Sequence, residues 1–305
     1  MGIYTWAVVL GIFFGFLSRI LMLRTDFRQY PTYHHGKVIH LSLGFIAAAL
    51  GALAVPALLE KNYTAVTFLT LAAQQFRDVR NMERETLSHL DQNELVPRGS
   101  AYIENIAMIF ESRNYIVIFI ALLVSLVTIG AERMWGTLPG TLFGASSGGV
   151  LLFMTRRMLY AYHVDDLADV TFGEVLVDGA DVLVEGIYMM NVGLKDNQEI
   201  IREKAVGIVI HPRDLTALVT LSHLGQRQAI LHDASTILGV YRDTGEPALV
   251  PLIKRDLSSG RIGVFLLPEE KDPEKARRIV SKVAILESAL RLPMKASARG
   301  ETARE

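Results

Sequence analysis

The stretch IYTWAVVLGIFFGFLSRILM, residues 3–22, decides the fold class of this chain. It has the length of about 20 residues that a helix needs to cross the hydrocarbon core of a bilayer. Its charged residue, Arg19, lies near the end, where a long side chain can reach the interface. Neither a basic segment before it nor a small-residue cleavage site after it indicates a removable signal peptide. The sequence therefore predicts an integral membrane protein.

Other apolar segments fill the first half of the chain. They are residues 38–59, 64–76, 115–130 and 138–154. The second segment is rich in small residues that allow close helix contact: Gly44, Ala47, Ala48, Gly51 and Ala52. The third segment is shorter than the about 20 residues that a span needs. We predict a transmembrane domain over residues 1–157, a multipass α-helical bundle of about five transmembrane helices.

The basic residues predict the orientation of this bundle, because loops rich in Lys and Arg stay in the cytoplasm. Basic residues are frequent after the first, third and last segments, whereas Lys61 and Arg133 stand alone in the second and fourth loops. This alternation requires the short third segment to cross. It predicts a protein of the cytoplasmic (inner) membrane with its N-terminus outside, a cytoplasmic loop over residues 77–113 and a cytoplasmic C-terminal domain.

The second half of the chain has the charge density of a soluble protein. Residues 164–193 alternate like strands linked by tight turns, and residues 206–210 (VGIVI) indicate a buried strand. A helix opened by Pro212, a second helix over residues 226–238, a hairpin over residues 250–267 and a last helix follow; Asp272 caps that last helix, whose apolar spacing extends to Leu290. We predict a C-terminal α+β soluble domain over residues 164–292 and a disordered tail over residues 293–305.

Composition excludes several functional classes. The chain contains no cysteine, which excludes disulfides, thiol nucleophiles and thiolate metal sites. The net charge of −1 provides no field for a phosphate backbone, so we expect no nucleic-acid partner. We find no cofactor-binding motif and no spacing of a known metal site. The expected partners are the lipid bilayer and a protein bound by the cytosolic domain, and self-association stays open.

One hexapeptide in the cytoplasmic loop resembles a known family. The residues Tyr102, Ile103, Glu104, Asn105, Ile106 and Ala107 are similar to the signature of the YIEGIA family, multipass membrane proteins of endospore-forming Firmicutes. Asn105 stands where the family signature has glycine. The membrane-then-soluble layout is also similar, and the resemblance implies a role in sporulation without implying a reaction. Residues 95–100, LVPRGS, match a common thrombin-cleavage linker, but helical patterns flank them, and we interpret them as native.

Two aspartates are weak catalytic candidates. Asp243 begins a D-T-G sequence like that of aspartic proteases, in which paired carboxylates share a proton. Its neighbours Arg242 and Glu246 do not fit that motif, and a turn residue is the alternative interpretation. Asp178 belongs to an acidic stretch, which could bind a divalent cation or form a solvated strand face. Its carboxylates are Asp165, Asp166, Asp169, Glu174, Asp178, Asp181 and Glu185.

The remaining polar candidates have ordinary alternatives. The G-x-S-x-G pattern around Ser146 lies inside an apolar segment, where small residues favour helix packing over catalysis. His223 and His232 flank a predicted helix junction and could meet in space. Glu104, a carboxylate near the membrane, needs a partner such as Arg77 or Arg113.

These observations leave two functional hypotheses. The first is an integral membrane protein of endospore development with a cytosolic regulatory or partner-binding domain. The alternative is a membrane-tethered aspartic-type protease of a sporulation pathway, which depends on Asp243 and on the layout of the chain.

Overall fold

In a computed structural model, the chain forms two compact units, and residues 3–26, 34–158, 162–241 and 249–291 are described. The first unit comprises Met1–Glu85 and Ile106–Ala161, and the second comprises Thr86–Asn105 and Tyr162–Glu305. Part of the predicted cytoplasmic loop therefore belongs to the same unit as the C-terminal half. The predicted disordered tail lies outside the described residues.

The first unit is helical. Its helices are α1 (Thr5–Asp26), α2 (His34–Leu59), α5 (Thr137–Met158) and the larger parts of α3 (Tyr63–Asp91) and α4 (Ser100–Trp135). Helices α1, α2, α4 and α5 contain segments that are long and apolar enough to cross a membrane. The predicted bundle of long apolar helices is thus present.

The described residues contain four candidate spans where the sequence predicts about five. Helix α3 differs from the prediction because its apolar residues 64–76 continue without a break into a charged segment that ends at Asp91. The helix as a whole is therefore too polar to qualify. Its first half nevertheless carries apolar side chains on its surface, since Phe68 is 68% exposed and Leu71 is 57% exposed.

Small residues bring α1, α2 and α4 into close contact, as the sequence of α2 predicts. A side-chain carbon added at Gly11 would lie 2.8 Å from Ala52 Cβ, and one added at Gly15 would lie 2.8 Å from Ala121 Cβ. At Gly51, the added carbon would overlap the carbonyl group of Ile118 in α4. Larger residues at these positions would separate the helices.

The second unit contains two antiparallel sheets. Strands β1 (Ala168–Gly173), β5 (Val206–Pro212), β6 (Leu252–Arg255) and β7 (Ile262–Leu266) form one sheet in the order β1-β5-β7-β6. Strands β2 (Val175–Asp178), β3 (Asp181–Val184) and β4 (Ile187–Asn191) form the other in sequence order. The helices are α6 (Val164–Leu167), α7 (Lys195–Lys204), α8 (Leu215–Ser222), α9 (Leu224–Leu238) and α10 (Pro273–Lys282). This is an α+β arrangement.

The four-stranded sheet is covered on both faces, which explains the continuous apolar sequences of β5 and β7. Alternate side chains of a strand point to opposite faces. Ile208 and Val264 pack in one core with α9 and α10, whereas Val209 and Phe265 pack in a second core with β3, β4 and α7. The predicted buried strand over residues 206–210 is confirmed.

Two local predictions in this unit are wrong, and one helix was not predicted. Pro212 ends β5 instead of opening a helix; α8 begins at Leu215, and the Asp214 carboxylate caps it by accepting from the backbone N–H of Ala217 at 2.7 Å. Helix α7 was not predicted, because its charged sequence buries one residue, Ile201. Helix α10 ends at Lys282 instead of reaching Leu290, since Ala284 forms an antiparallel bridge with His163.

Candidate functional site

The family-like hexapeptide lies in the first two turns of α4. Residues 102–105 belong to the second unit, and two polar side chains among them are nearly excluded from solvent, with Tyr102 2% exposed and Asn105 6% exposed. A tyrosine hydroxyl and an asparagine amide are costly to bury without hydrogen-bond partners. Contacts within the chain must therefore compensate the burial of this segment.

The hexapeptide packs against helix α9. The backbone N–H of Tyr102 donates to the side-chain oxygen of Gln228 at 3.0 Å, and the Tyr102 ring meets the His232 ring edge to face with 6.2 Å between centroids. The Asn105 side chain donates to the carbonyl of Ala101 at 2.6 Å and lies directly against Gly225. A methyl group at Gly225 would overlap the Asn105 amide nitrogen.

The LVPRGS segment is an integral part of this site, which agrees with its interpretation as native sequence. The Nδ1–H of His232 donates to the carbonyl of Val96 at 2.6 Å, which fixes the tautomer of the buried imidazole. Arg98 is 6% exposed and pairs with Glu94 at 2.8 Å and with Asp91 at 3.7 Å. The Asp91 carboxylate also accepts from the backbone N–H of Arg98 at 2.6 Å. These contacts tie the end of α3 to the start of α4.

Burial sets the electrostatics of the site. It raises the pKa of the Asp233 carboxyl from its ordinary value of 3.8 to about 7, against the opposing effect of Arg98. Burial also lowers the pKa of His232, which favours its neutral form. On α9, the neutral form of His232 is therefore favoured, and the adjacent carboxyl of Asp233 changes its charge near neutral pH. A carboxyl that titrates near neutrality beside a recognised motif is a candidate for a functional role.

We call the set Asp91, Arg98, Tyr102, Asn105, Gly225, Gln228, His232 and Asp233 the motif site. Sequence reasoning found the hexapeptide but missed the residues that contact it. One signal was available, because Gly225, Gln228, His232 and Ser235 recur at helical spacing and place small or polar residues on one side of α9. The contact itself joins residues more than a hundred positions apart, which no local pattern shows.

The two predicted catalytic aspartates are not brought together by any described contact. Asp243 lies outside the described residues. Asp178 is exposed at the end of β2, directly opposite Asp181 in β3, and Asp181 accepts a hydrogen bond from Asn191 at 2.8 Å. This arrangement fits the solvated strand face that was the alternative interpretation.

The acidic stretch contains one group with the geometry of a metal site. Ligand atoms of His163, Asp165 and Asp166 lie within 4.8 Å of one another. Other contacts engage these carboxylates, because Asp165 accepts from Lys282 at 2.6 Å and Asp166 accepts from the backbone N–H of His163 at 2.7 Å. Hydrogen bonds within the domain therefore account for the positions of these side chains without a bound ion.

The other polar candidates lie at different places in the structure. Burial lowers the pKa of His223, and Arg291 and Arg227 near it lower that pKa further, whereas His232 belongs to the motif site. In α5, the hydroxyl of Ser146 donates to the carbonyl of Leu142 at 2.9 Å, as in many helical serines. The adjacent Gly144 lies against Thr128 of α4, which agrees with helix packing. Glu104 is half-buried on α4.

A second polar cluster lies inside the first unit. Arg19 is fully buried; its guanidinium donates to His40 Nδ1 at 3.0 Å and lies over the Phe110 ring at 5.1 Å from the centroid. One turn further along α4, Asn114 is 2% exposed, and neither polar atom of its amide has a hydrogen-bond partner among the described residues. Polar groups inside apolar bundles are costly, and they are often functional.

Comparison with known proteins agrees with the motif. The chain is 48% identical over 293 residues to the protein YphB of Bacillus subtilis (strain 168), and the match covers 96% of each chain. The comparison with solved structures finds no match. The family model described as YIEGIA protein matches residues 7–296. The chain thus belongs to the YIEGIA family over almost its entire length.

Proposed function

We propose that this protein is a membrane-anchored regulatory protein of endospore development, in which the motif site transmits a conformational state between the apolar helices and a partner-binding α+β unit. The observation that carries this proposal is the burial of Tyr102 and Asn105 of α4 against α9. Helix α4 also contains one of the candidate spans, so a single helix carries both the hexapeptide and a candidate membrane span.

The contacts of the motif site favour a mechanical role over a catalytic one. The Tyr102 backbone, the Gln228 side chain and the His232 ring are engaged in hydrogen bonds and ring packing that hold two helices together. A catalytic site needs a nucleophile or base that faces a substrate cavity. Here the polar groups face other parts of the chain. Only Asp233 adds a group that could change charge near neutral pH.

The cellular setting and the orientation are parts of this proposal. The endospore setting rests on the family resemblance. The proposed location is the cytoplasmic membrane, with the N-terminus outside and the second unit in the cytoplasm, as the basic residues predict. This orientation requires α3 to cross the membrane as well. The exposed side chains of Phe68 and Leu71 support that crossing, because lipid contact would remove them from water.

The experiment is a matched pair of substitutions at Gln228 in the native host. Gln228→Met removes the oxygen that accepts from the Tyr102 N–H at nearly constant volume, whereas Gln228→Glu keeps an acceptor. We expect Gln228→Met to lower spore yield at normal protein abundance and Gln228→Glu to preserve most of it.

Spore yield and hydrogen exchange together distinguish a contact that transmits a conformational change from one that only stabilises the fold. Hydrogen exchange of residues 100–105 in the purified full-length protein should become faster in Gln228→Met than in Gln228→Glu. Normal sporulation of Gln228→Met, despite faster exchange, would contradict the proposed transmission. A loss of spores that follows loss of protein would assign Gln228 a purely structural role.

A further inference from the structure

A cluster of positive charge lies in the second unit, on residues other than those of the motif site. Its residues lie where α8 meets α9, at the end of β6 and in the segment after α10. Its members are Ser222, His223, Arg227, Arg255, Ser288 and Arg291. We call it the arginine cluster.

The backbone places these residues together. Thr220 connects two of them, because its carbonyl accepts from the His223 N–H at 3.2 Å and its hydroxyl accepts from the Arg291 N–H at 3.0 Å. Arg227, in the first turn of α9, donates from Nε to the carbonyl of Ser222 at 3.2 Å. The position of Arg255 follows from strand alternation, because Ile253 of β6 packs in the core that contains α9 and Arg255 lies on the same face.

The electrostatic environment of the cluster is unusual because its groups act on one another as like charges. Burial lowers the pKa of His223 and of Arg227; Arg291 and Arg227 lower the pKa of His223 further, and Arg255 lowers the pKa of Arg227 further. Asp256 follows Arg255 in the chain, but its carboxylate accepts hydrogen bonds from Ser258 and Ser259 in its own turn. Like charges held together destabilise a fold unless an anion compensates them.

Several donors of the cluster are also unused. Arg255 Nε, His223 Nδ1, Ser222 Oγ and Ser288 Oγ are shielded from solvent without a hydrogen-bond partner among the described residues. A buried polar atom without a partner destabilises the folded state. Four such atoms beside three arginines indicate that an acceptor with several oxygens completes the site.

We infer that the arginine cluster binds the phosphoryl group of an anionic ligand. Arginine matches phosphate by paired hydrogen bonds, and hydroxyl groups can fill the remaining oxygen positions. The N-terminus of the 15-residue helix α9 lies at His223, which makes no side-chain cap, and the helix dipole there adds further attraction for negative charge. The phosphoryl group could belong to a soluble phosphate compound or to a phospholipid headgroup. This inference goes beyond the proposed regulatory role and does not depend on the motif site.

The test uses the full-length protein in two environments. In detergent, hydrogen exchange of residues 220–227 and 284–291 is measured with increasing inorganic phosphate and with chloride at equal ionic strength. In nanodiscs, the same peptides are compared between phosphatidylglycerol and phosphatidylcholine. Protection by phosphate indicates a soluble source, protection by phosphatidylglycerol alone indicates a headgroup, and either result supports the site. Absence of protection in both environments overturns it.

Substitutions test whether the protection arises from binding at the arginine cluster. Arg227→Gln and Arg255→Gln should weaken the protection about ten- to hundredfold in apparent affinity, the equivalent of one charge-assisted hydrogen bond. Arg202→Gln, an exposed arginine on α7, changes net charge equally and should leave the affinity unchanged. Without phosphate, Arg227→Gln loses the hydrogen bond from Nε to the Ser222 carbonyl but also a repulsion from Arg255, so its melting temperature is measured beside its affinity. Arg255→Lys keeps the charge but loses the Nε donor. It replaces Arg255→Gln in the affinity measurement if the glutamine variant folds poorly. An equal loss of affinity in Arg202→Gln would refute the site.

Discussion

The protonation of Asp233 offers a quantitative test of the motif site. Burial raises the pKa of this carboxyl from 3.8 to about 7, so the folded protein holds a proton that the unfolded chain releases near pH 4. The stabilisation from the neutral carboxyl is fully present below pH ~4 and is lost as the pH rises through ~7. A shift of this size corresponds to at most about 4 kcal/mol, and the partial exposure of Asp233 reduces it.

Asp233→Asn keeps the shape of the side chain but cannot ionise. We therefore expect equal stability of the variant and the wild type at pH ~4, and a variant more stable by about 1–4 kcal/mol above pH ~8. Hydrogen exchange of residues 86–105 and 224–238 in the full-length protein, corrected for the intrinsic pH dependence, measures this difference locally. Asp169→Asn, in an exposed ion pair with Arg213 at 2.8 Å, is the charge-matched control.

A difference between Asp233→Asn and wild type that stays constant from pH 4 to 9 would refute this reasoning. The same conclusion would follow if wild-type protection of these peptides rose between pH 5 and 8, because the sign would then be opposite to that of a buried, neutral carboxyl.

Three further predictions concern packing, topology and catalysis. Gly225→Ala should loosen α9 because the methyl group would meet the Asn105 amide, and Asn105→Gly should restore part of the lost protection; hydrogen exchange measures both, and no restoration in the double variant would argue against the contact. Reporter fusions after Glu60 and after Leu90 should lie on opposite sides of the membrane if α3 crosses, whereas the same side for both would reject five crossings. Asp243→Asn should leave sporulation at wild-type level if Asp243 is a turn residue, and a sporulation defect at normal abundance would instead favour the protease hypothesis.

Sequence patterns predicted the parts of this fold that depend on local chemistry. The strand over residues 206–210 could be predicted because five consecutive apolar or small residues suit a strand covered on both faces. The capped start of α10 followed from Asp272 and Pro273, and the carboxylate of Asp272 accepts from the backbone N–H of Lys275 at 2.9 Å. In each case, neighbours in the chain supply the deciding interaction.

The predictions from sequence fail where residues far apart in the chain determine the local structure. The spacing of Leu286 and Leu290 suggests that α10 continues, but the backbone of Ile285 instead donates to the carbonyl of Tyr162 at 2.8 Å. The motif site was incomplete for the same reason, because Gln228 and Tyr102 are 126 positions apart. A polar residue on a helix face shows that a partner is needed but not which one.

The contact between Asn105 and Gly225 gives the departure from the family signature a physical meaning. A carbon added at Gly225 would lie 2.9 Å from the carbonyl of Ala101 and would overlap the Asn105 amide, so this crossing of α4 and α9 has room for one side chain. Here that side chain comes from α4. Asn105 fills the space with an amide that donates to the carbonyl of Ala101, within its own helix, instead of bonding α9. The close approach of the two helices therefore requires glycine at position 225, where the Ala101 backbone leaves no room for a side chain, whereas position 105 accepts an asparagine.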